Sequence, residues 1–131
     1  MNYKLQEKSV PQQDGTRAMK WYAKEVSMGR STLEMICGSI AEATTITEVD
    51  ARAVIFQLVK EIRSRLQAGQ IVELGELGNM QLTINNNAGA LTKADWTPSL
   101  IKKAKVTYRP GTRVKRIAED ATFTRWNGDM D

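Results

Sequence analysis

Histidine is absent from this chain of 131 residues, and cysteine occurs once, at Cys37. The first absence removes the commonest zinc and copper ligand together with every Ser-His or Cys-His catalytic pair. The second rules out an intrachain disulfide. Aromatic residues make up 6% of the chain, and no apolar run approaches the eighteen or so residues that cross a bilayer. Lys4, Glu7 and Lys8 stand where a secretory leader would have its apolar stretch, so a cytoplasmic protein with no membrane partner is expected. Two carboxylates, Glu73 and Glu76, flank a turn, where paired acids are normally solvated. No enzyme activity, catalytic residue, metal, cofactor or small-molecule substrate is therefore expected. What remains, 41% hydrophobic and 26% charged residues, suits one packed domain or a small domain with an arm.

Charge is distributed unevenly. The net formal charge of +4 resolves into +3 for residues 1–30, −1 for 31–70, −2 for 71–100 and +4 for 101–131. Between Ile101 and Ala118 stand Lys102, Lys103, Lys105, Arg109, Arg113, Lys115 and Arg116, with no acidic residue among them. A face charged only for solubility mixes both signs, so this block points to a polyanionic partner.

The hydrophobic pattern predicts an α+β chain. Residues 2–10 and 19–27 read as two short strands separated by the turn-rich Pro11 to Gly15. Ser31 with Glu34 has the form of a capping box opening a helix whose stripe, Leu33, Ile36, Cys37, Ile40 and Ala41, makes Cys37 a core residue. Thr47 with Asp50 opens a second, longer helix to about Ala68, closed by Gly69. Its stripe is Ala51, Ile55, Leu58, Ile62 and Leu66. Val54, Phe56 and Val59 widen the apolar surface beyond that stripe, and a second copy of the chain is the simplest cover. Ile71 to Leu74 and Met80 to Ile84 read as a hairpin, Asn85 to Leu100 as a long loop or projecting arm, and Val106 to Tyr108 as a third strand. Pro110 and Gly111 stop that strand, and Val114, Ile117 and Ala118 fit a short helix. The tail from Asp120 shows no pattern.

Two stretches carry a family resemblance. Gly69-Gln70-Ile71-Val72-Glu73-Leu74-Gly75-Glu76-Leu77-Gly78-Asn79-Met80 resembles the helix-ending glycine, first strand and glycine-containing turn of the bacterial HU and integration-host-factor family of histone-like DNA-binding proteins. Tyr108-Arg109-Pro110-Gly111-Thr112-Arg113-Val114-Lys115 is similar to that family's aromatic-basic-Pro-Gly entry into its last helix, and the separation of the two stretches fits a two-stranded arm. The resemblance covers roughly Arg30 to Asp120. It implies an HU-like fold: a helical base plus a three-stranded antiparallel sheet with a β-arm, in an intertwined homodimer embracing duplex DNA. It divides the chain into an extension (1–30), an HU-like DNA-binding domain (31–120) and a tail (121–131). By position it implies a dimer core of Leu77, Met80 and Tyr108, to which the apolar surface of the second helix adds Phe56, and phosphate contacts from Arg30, Arg109 and Lys115.

The chain departs from the family pattern at Glu76, where a glycine is usual, and at Met80, where an aromatic is usual. The arm-tip proline has no match, since Leu91 and Thr92 lie near that position, and Lys93 is the arm's one basic residue. Sharp bending needs an apolar wedge and a charged arm, so weaker bending than in typical relatives is expected. The expected function is weakly sequence-specific, architectural binding of duplex DNA in the nucleoid. The expected contacts are Arg30, Lys93, Lys102, Lys103, Lys105, Arg109, Arg113, Lys115 and Arg116. The competing class is an HU-like dimeric module that binds protein instead of DNA, favoured by the thin positive charge of Asn85 to Leu100.

Overall fold

The longest helix follows its sequence signals at both ends. In the computed structural model, which describes residues 1–128, α1 spans Leu33–Ala43 and α2 spans Glu48–Gln67. The Thr47 hydroxyl accepts from the Asp50 amide at 3.1 Å, and the Asp50 carboxylate accepts from the Thr47 amide at 3.3 Å, which satisfies two otherwise orphaned donors. At the other end Gly69 takes φ +80°; its amide donates to Leu66 and that of Gln70 to Arg65, both at 3.0 Å, a Schellman closure. Between the caps Ala51 and Leu66 are buried and Ile55, Leu58 and Ile62 half-buried, so the stripe read from the spacing is the inward face. Cys37 on α1 is fully buried. The Ser31–Glu34 capping box is a correction. The helix opens at Leu33, so Glu34 is its second residue and is out of register for the reciprocal bond a third-position acid would make.

A three-stranded antiparallel sheet, ordered β3-β4-β5, follows: β3 is Val72–Glu73, β4 Asn79–Asn86 and β5 Ile101–Arg109. The register pairs Met80 with Tyr108, Leu82 with Val106 and Ile84 with Ala104, so these residues share one apolar face. Of the long loop or projecting arm expected after β4 the structure has the loop, and the two-stranded arm implied by the resemblance is a second correction. The ladder ends at Asn86 and Ile101 beside a bulge, and residues 87–100 close as a loop, with the Asn87 amide on the Leu100 carbonyl at 2.9 Å. Asn87 to Gly89 has low strand propensity, and Thr92 and Asp95 bond each other locally instead of extending a ladder. After Pro110 and Gly111, α3 runs Thr112–Glu119.

The chain divides into two units, one comprising Leu33–Glu119 and the other Met1–Thr32 with the chain from Asp120. In the latter, β1 (Asn2–Pro11) and β2 (Arg17–Glu25) form an antiparallel hairpin, with β2 lying two residues earlier than the expected 19–27. The segment without a sequence pattern supplies β6, Thr124–Arg125, parallel to β1. The Met1 ammonium donates to the Thr122 carbonyl at 2.8 Å, holding the two chain segments together. Residues 129–131 of the expected tail lie outside the described residues. In the hairpin turn the Asp14 carboxylate accepts from the Thr16 hydroxyl at 2.6 Å and the Thr16 amide at 3.0 Å, which holds its pKa below the usual carboxylate value.

Among the described residues, the buried hydrophobic core is Cys37, Ala51, Leu66 and Val72. The chain exposes 11327 Å². Two separate compact bodies of the units' sizes would expose about 8,300 Å² together. Phe56, Val54 and Val59 on α2, and Ile84 and Val106 on the apolar sheet face, account for part of the excess, each more than half exposed.

Candidate functional site

Two sequence stretches far apart in the chain meet at one joint. Gly78 has φ +110°, and a Cβ there would collide with the Arg109 carbonyl oxygen and approach the Gly111 nitrogen to 2.7 Å. Gly111 is equally tight against the backbone of Glu76, which lies in the short 3-10 turn Gly75–Leu77. The Tyr108 hydroxyl donates to the Leu77 carbonyl at 2.5 Å. Only glycine lets the two backbones approach this closely. The joint therefore sets the angle at which α3 leaves β5, and with it the placement of the basic side chains on both elements.

On β5, strand alternation puts Lys103, Lys105 and Arg109 on one face, opposite Asn85, Thr83 and Asn79. All three are exposed. Lys102 falls on the other face, beyond the apolar column Ala104, Val106 and Tyr108. On α3, Arg113 and Arg116 lie one turn apart and, with Gly75, Glu76 and Thr112, line an open recess of about 560 Å³. Lys115 is exposed on the same helix.

The basic block has one counter-ion that its own segment did not reveal. Arg113 Nη1 donates to Glu76 Oε2 at 3.0 Å, with both side chains more than 70% exposed. This ties one of the two turn carboxylates to a structural ion pair. An exposed pair of this kind contributes about 0–1 kcal/mol, so a phosphate could take Glu76's place at little cost. Lys102, Lys103, Lys105, Arg109, Lys115 and Arg116 have no ionic partner among the described residues.

Lys93 lies in the 87–100 loop, and Arg30 precedes α1 in the other unit. Leu77, Met80 and Tyr108 come together: Tyr108 pairs with Met80 across the ladder and bonds Leu77. Phe56 lies on the outer face of α2, 59% exposed. Sequence reasoning missed Glu76 as an ionic partner, because nothing local links it to Arg113. It also missed the lysines of the N-terminal hairpin, for which their even-numbered spacing was the available signal. Among the described residues no His, Cys, Asp and Glu cluster could hold a metal, and no helix is long and apolar enough to cross a membrane.

Residues 1–125 match the family model described as an HU domain fused to wHTH, Ig, or glycine-rich motif. Integration host factor subunit alpha of Proteus mirabilis is 28% identical over 85 residues, covering 64% of this chain and 87% of that protein. The same subunit of Idiomarina loihiensis is 30% identical over 77 residues, covering 58% and 79%. A crystal structure of a candidate bacterial DNA-binding protein from Bacteroides vulgatus superposes with a TM-score of 0.59 at 11% identity, a likeness of fold alone. That match covers 95% of this chain and 47% of the other, so the chain spans about half the length of that molecule.

Proposed function

We propose, since this chain belongs to the HU-HIG family of HU domains fused to wHTH, Ig, or glycine-rich motifs, that it is an architectural protein which grips the phosphates of duplex DNA and reads base sequence weakly. The observation that carries this reading is the β5–α3 block: exposed lysines and arginines on a strand and helix locked at one joint, with Glu76 as their one ionic partner among the described residues. Such a block releases condensed counterions when it replaces them on the duplex, a sequence-independent gain. Lys93 and Arg30 are assigned supporting phosphate contacts, residues 31–120 the DNA-binding domain, and the nucleoid is the proposed location.

The working unit is proposed to be an HU-like intertwined homodimer. Its helical base would cover Phe56, and its sheets would bury the column Met80, Leu82, Ile84, Val106 and Tyr108. The large exposed apolar area of the single chain supports this reading. A second reading, a protein-binding module, is favoured by the 87–100 loop, where Lys93 is balanced by Asp95. A gel-shift series with duplex DNA, duplex RNA and several salt concentrations separates the two. Salt-sensitive retardation of DNA supports the proposal, and none at low salt leaves the protein-binding module.

A further inference from the structure

The N-terminal hairpin sorts its charges by face. In the β1–β2 ladder Lys4 stands opposite Lys24 and Lys8 opposite Lys20, with Gln6 opposite Tyr22 between the two pairs. Strand alternation puts all six on one side of the sheet, and no Asp or Glu of either strand shares it. The strand carboxylates, Glu7 and Glu25, fall on the other side with Leu5, Ala23, Trp21 and Met19. Asp14, in the turn, is committed to Thr16. The four lysines are exposed and have no ionic partner among the described residues.

Solubility alone does not produce this arrangement. Like charges directly opposite each other weaken strand pairing, and a solvated face ordinarily mixes signs. Here the mixing was possible, because the strands have acids, yet Glu7 and Glu25 both fall on the opposite side, which also holds Arg17. A row of anions would relieve the repulsion within both pairs at once. The pairs are four residues apart along β1, about 13 Å. That is roughly the axial rise of four phosphates on one DNA strand.

We propose that the lysine face of the hairpin, Lys4, Lys8, Lys20 and Lys24, is a second DNA-contact surface that docks on the phosphate backbone. This gives a role to residues 1–30, which the HU resemblance leaves without one. The inference rests on the DNA-binding reading above, and its test separates the two.

The full chain is titrated onto a labelled duplex of about thirty base pairs by fluorescence anisotropy at several salt concentrations. The variants are K4Q/K8Q/K20Q/K24Q, its arginine counterpart K4R/K8R/K20R/K24R, and K103Q/K105Q on β5. The glutamine variant is expected to bind about tenfold more weakly, with a salt slope lower by about three, and the arginine variant to keep both wild-type values. Unchanged affinity and slope in the glutamine variant, with loss in K103Q/K105Q, would overturn the inference and leave the DNA-binding reading standing. Failure of the wild type to bind would remove that reading itself. Vesicles of phosphatidylserine and phosphatidylcholine form a further arm. Tighter binding to them than to duplex, abolished by the glutamine changes, would reassign the face to a membrane surface and overturn the inference.

Discussion

Gly78 lies so close under Arg109 that its missing side chain is a structural requirement: a Cβ would occupy the space of the Arg109 carbonyl oxygen. The residue also adopts φ +110°, a region side chains avoid. Gly78→Ala is therefore expected to destabilise the chain by about 3 kcal/mol or more, combining backbone strain with a clash that must be relieved. Because the same joint orients α3, DNA affinity should fall even in variants that stay folded. Denaturant titration followed by DNA titration checks both. A variant as stable as wild type would show that the joint is looser than described.

Phe56 tests the proposed dimer. A charge placed on the outer face of α2 costs little if that face meets water and several kcal/mol if a second chain covers it. Phe56→Asp is expected to unfold the protein, and the wild type to sediment at micromolar concentration as a dimer with no folded monomer. A folded, stable wild-type monomer would contradict the shared core.

The hairpin turn predicts a pH effect. The folded pKa of Asp14 is lowered, first by the Thr16 hydroxyl and then by the Thr16 amide. Its contribution to stability is thus full above the unfolded carboxylate value of about 3.9 and is lost as pH falls through the lower folded value. Denaturation midpoints measured from pH 7 to pH 2 should show this acid-side loss shrinking in Asp14→Asn.

Leu91 is fully exposed in the 87–100 loop. It is the apolar residue there best placed to act as a wedge, with Lys93 nearby to grip a groove. Bending a site by 40–90° costs on the order of a few kcal/mol, which a loop holding one lysine is poorly equipped to supply. Energy transfer between the ends of a labelled duplex is expected to report a small bend, insensitive to Leu91→Ala. A large bend that vanishes with this substitution would show that the loop works as an inserting arm.

How legible each feature was in the sequence depended on how local its cause was. The second helix could be read almost residue by residue, because Thr47, Asp50 and Gly69 act within one turn of its ends and its stripe repeats every three to four residues. Pro110 and Gly111 likewise mark the end of β5 at their own positions. The two-stranded arm implied by the family spacing failed beyond Asn86, where Asn87 and Gly89 favour the loop that the residue pattern also allowed. The pairing of Thr124 and Arg125 with the first strand left no trace, since a two-residue strand has no periodicity. For the candidate site, the basic block was visible as a run of residue types, but the Glu76–Arg113 pair depended on the folded joint. The facial sorting of the hairpin lysines depended on a register that only the pairing of β1 with β2 defines.

The central claim, phosphate-dominated binding of duplex DNA by the β5–α3 block, is tested most directly by the salt dependence of affinity in wild type and in K103E/K105E. If a dimer engages on the order of six to ten phosphates, wild-type affinity should drop by roughly a thousandfold or more between about 50 and 200 mM salt, with little difference among unrelated sequences. The charge-reversed variant should bind far more weakly and with a flatter slope. Equal affinities and equal slopes for the two proteins would contradict the account.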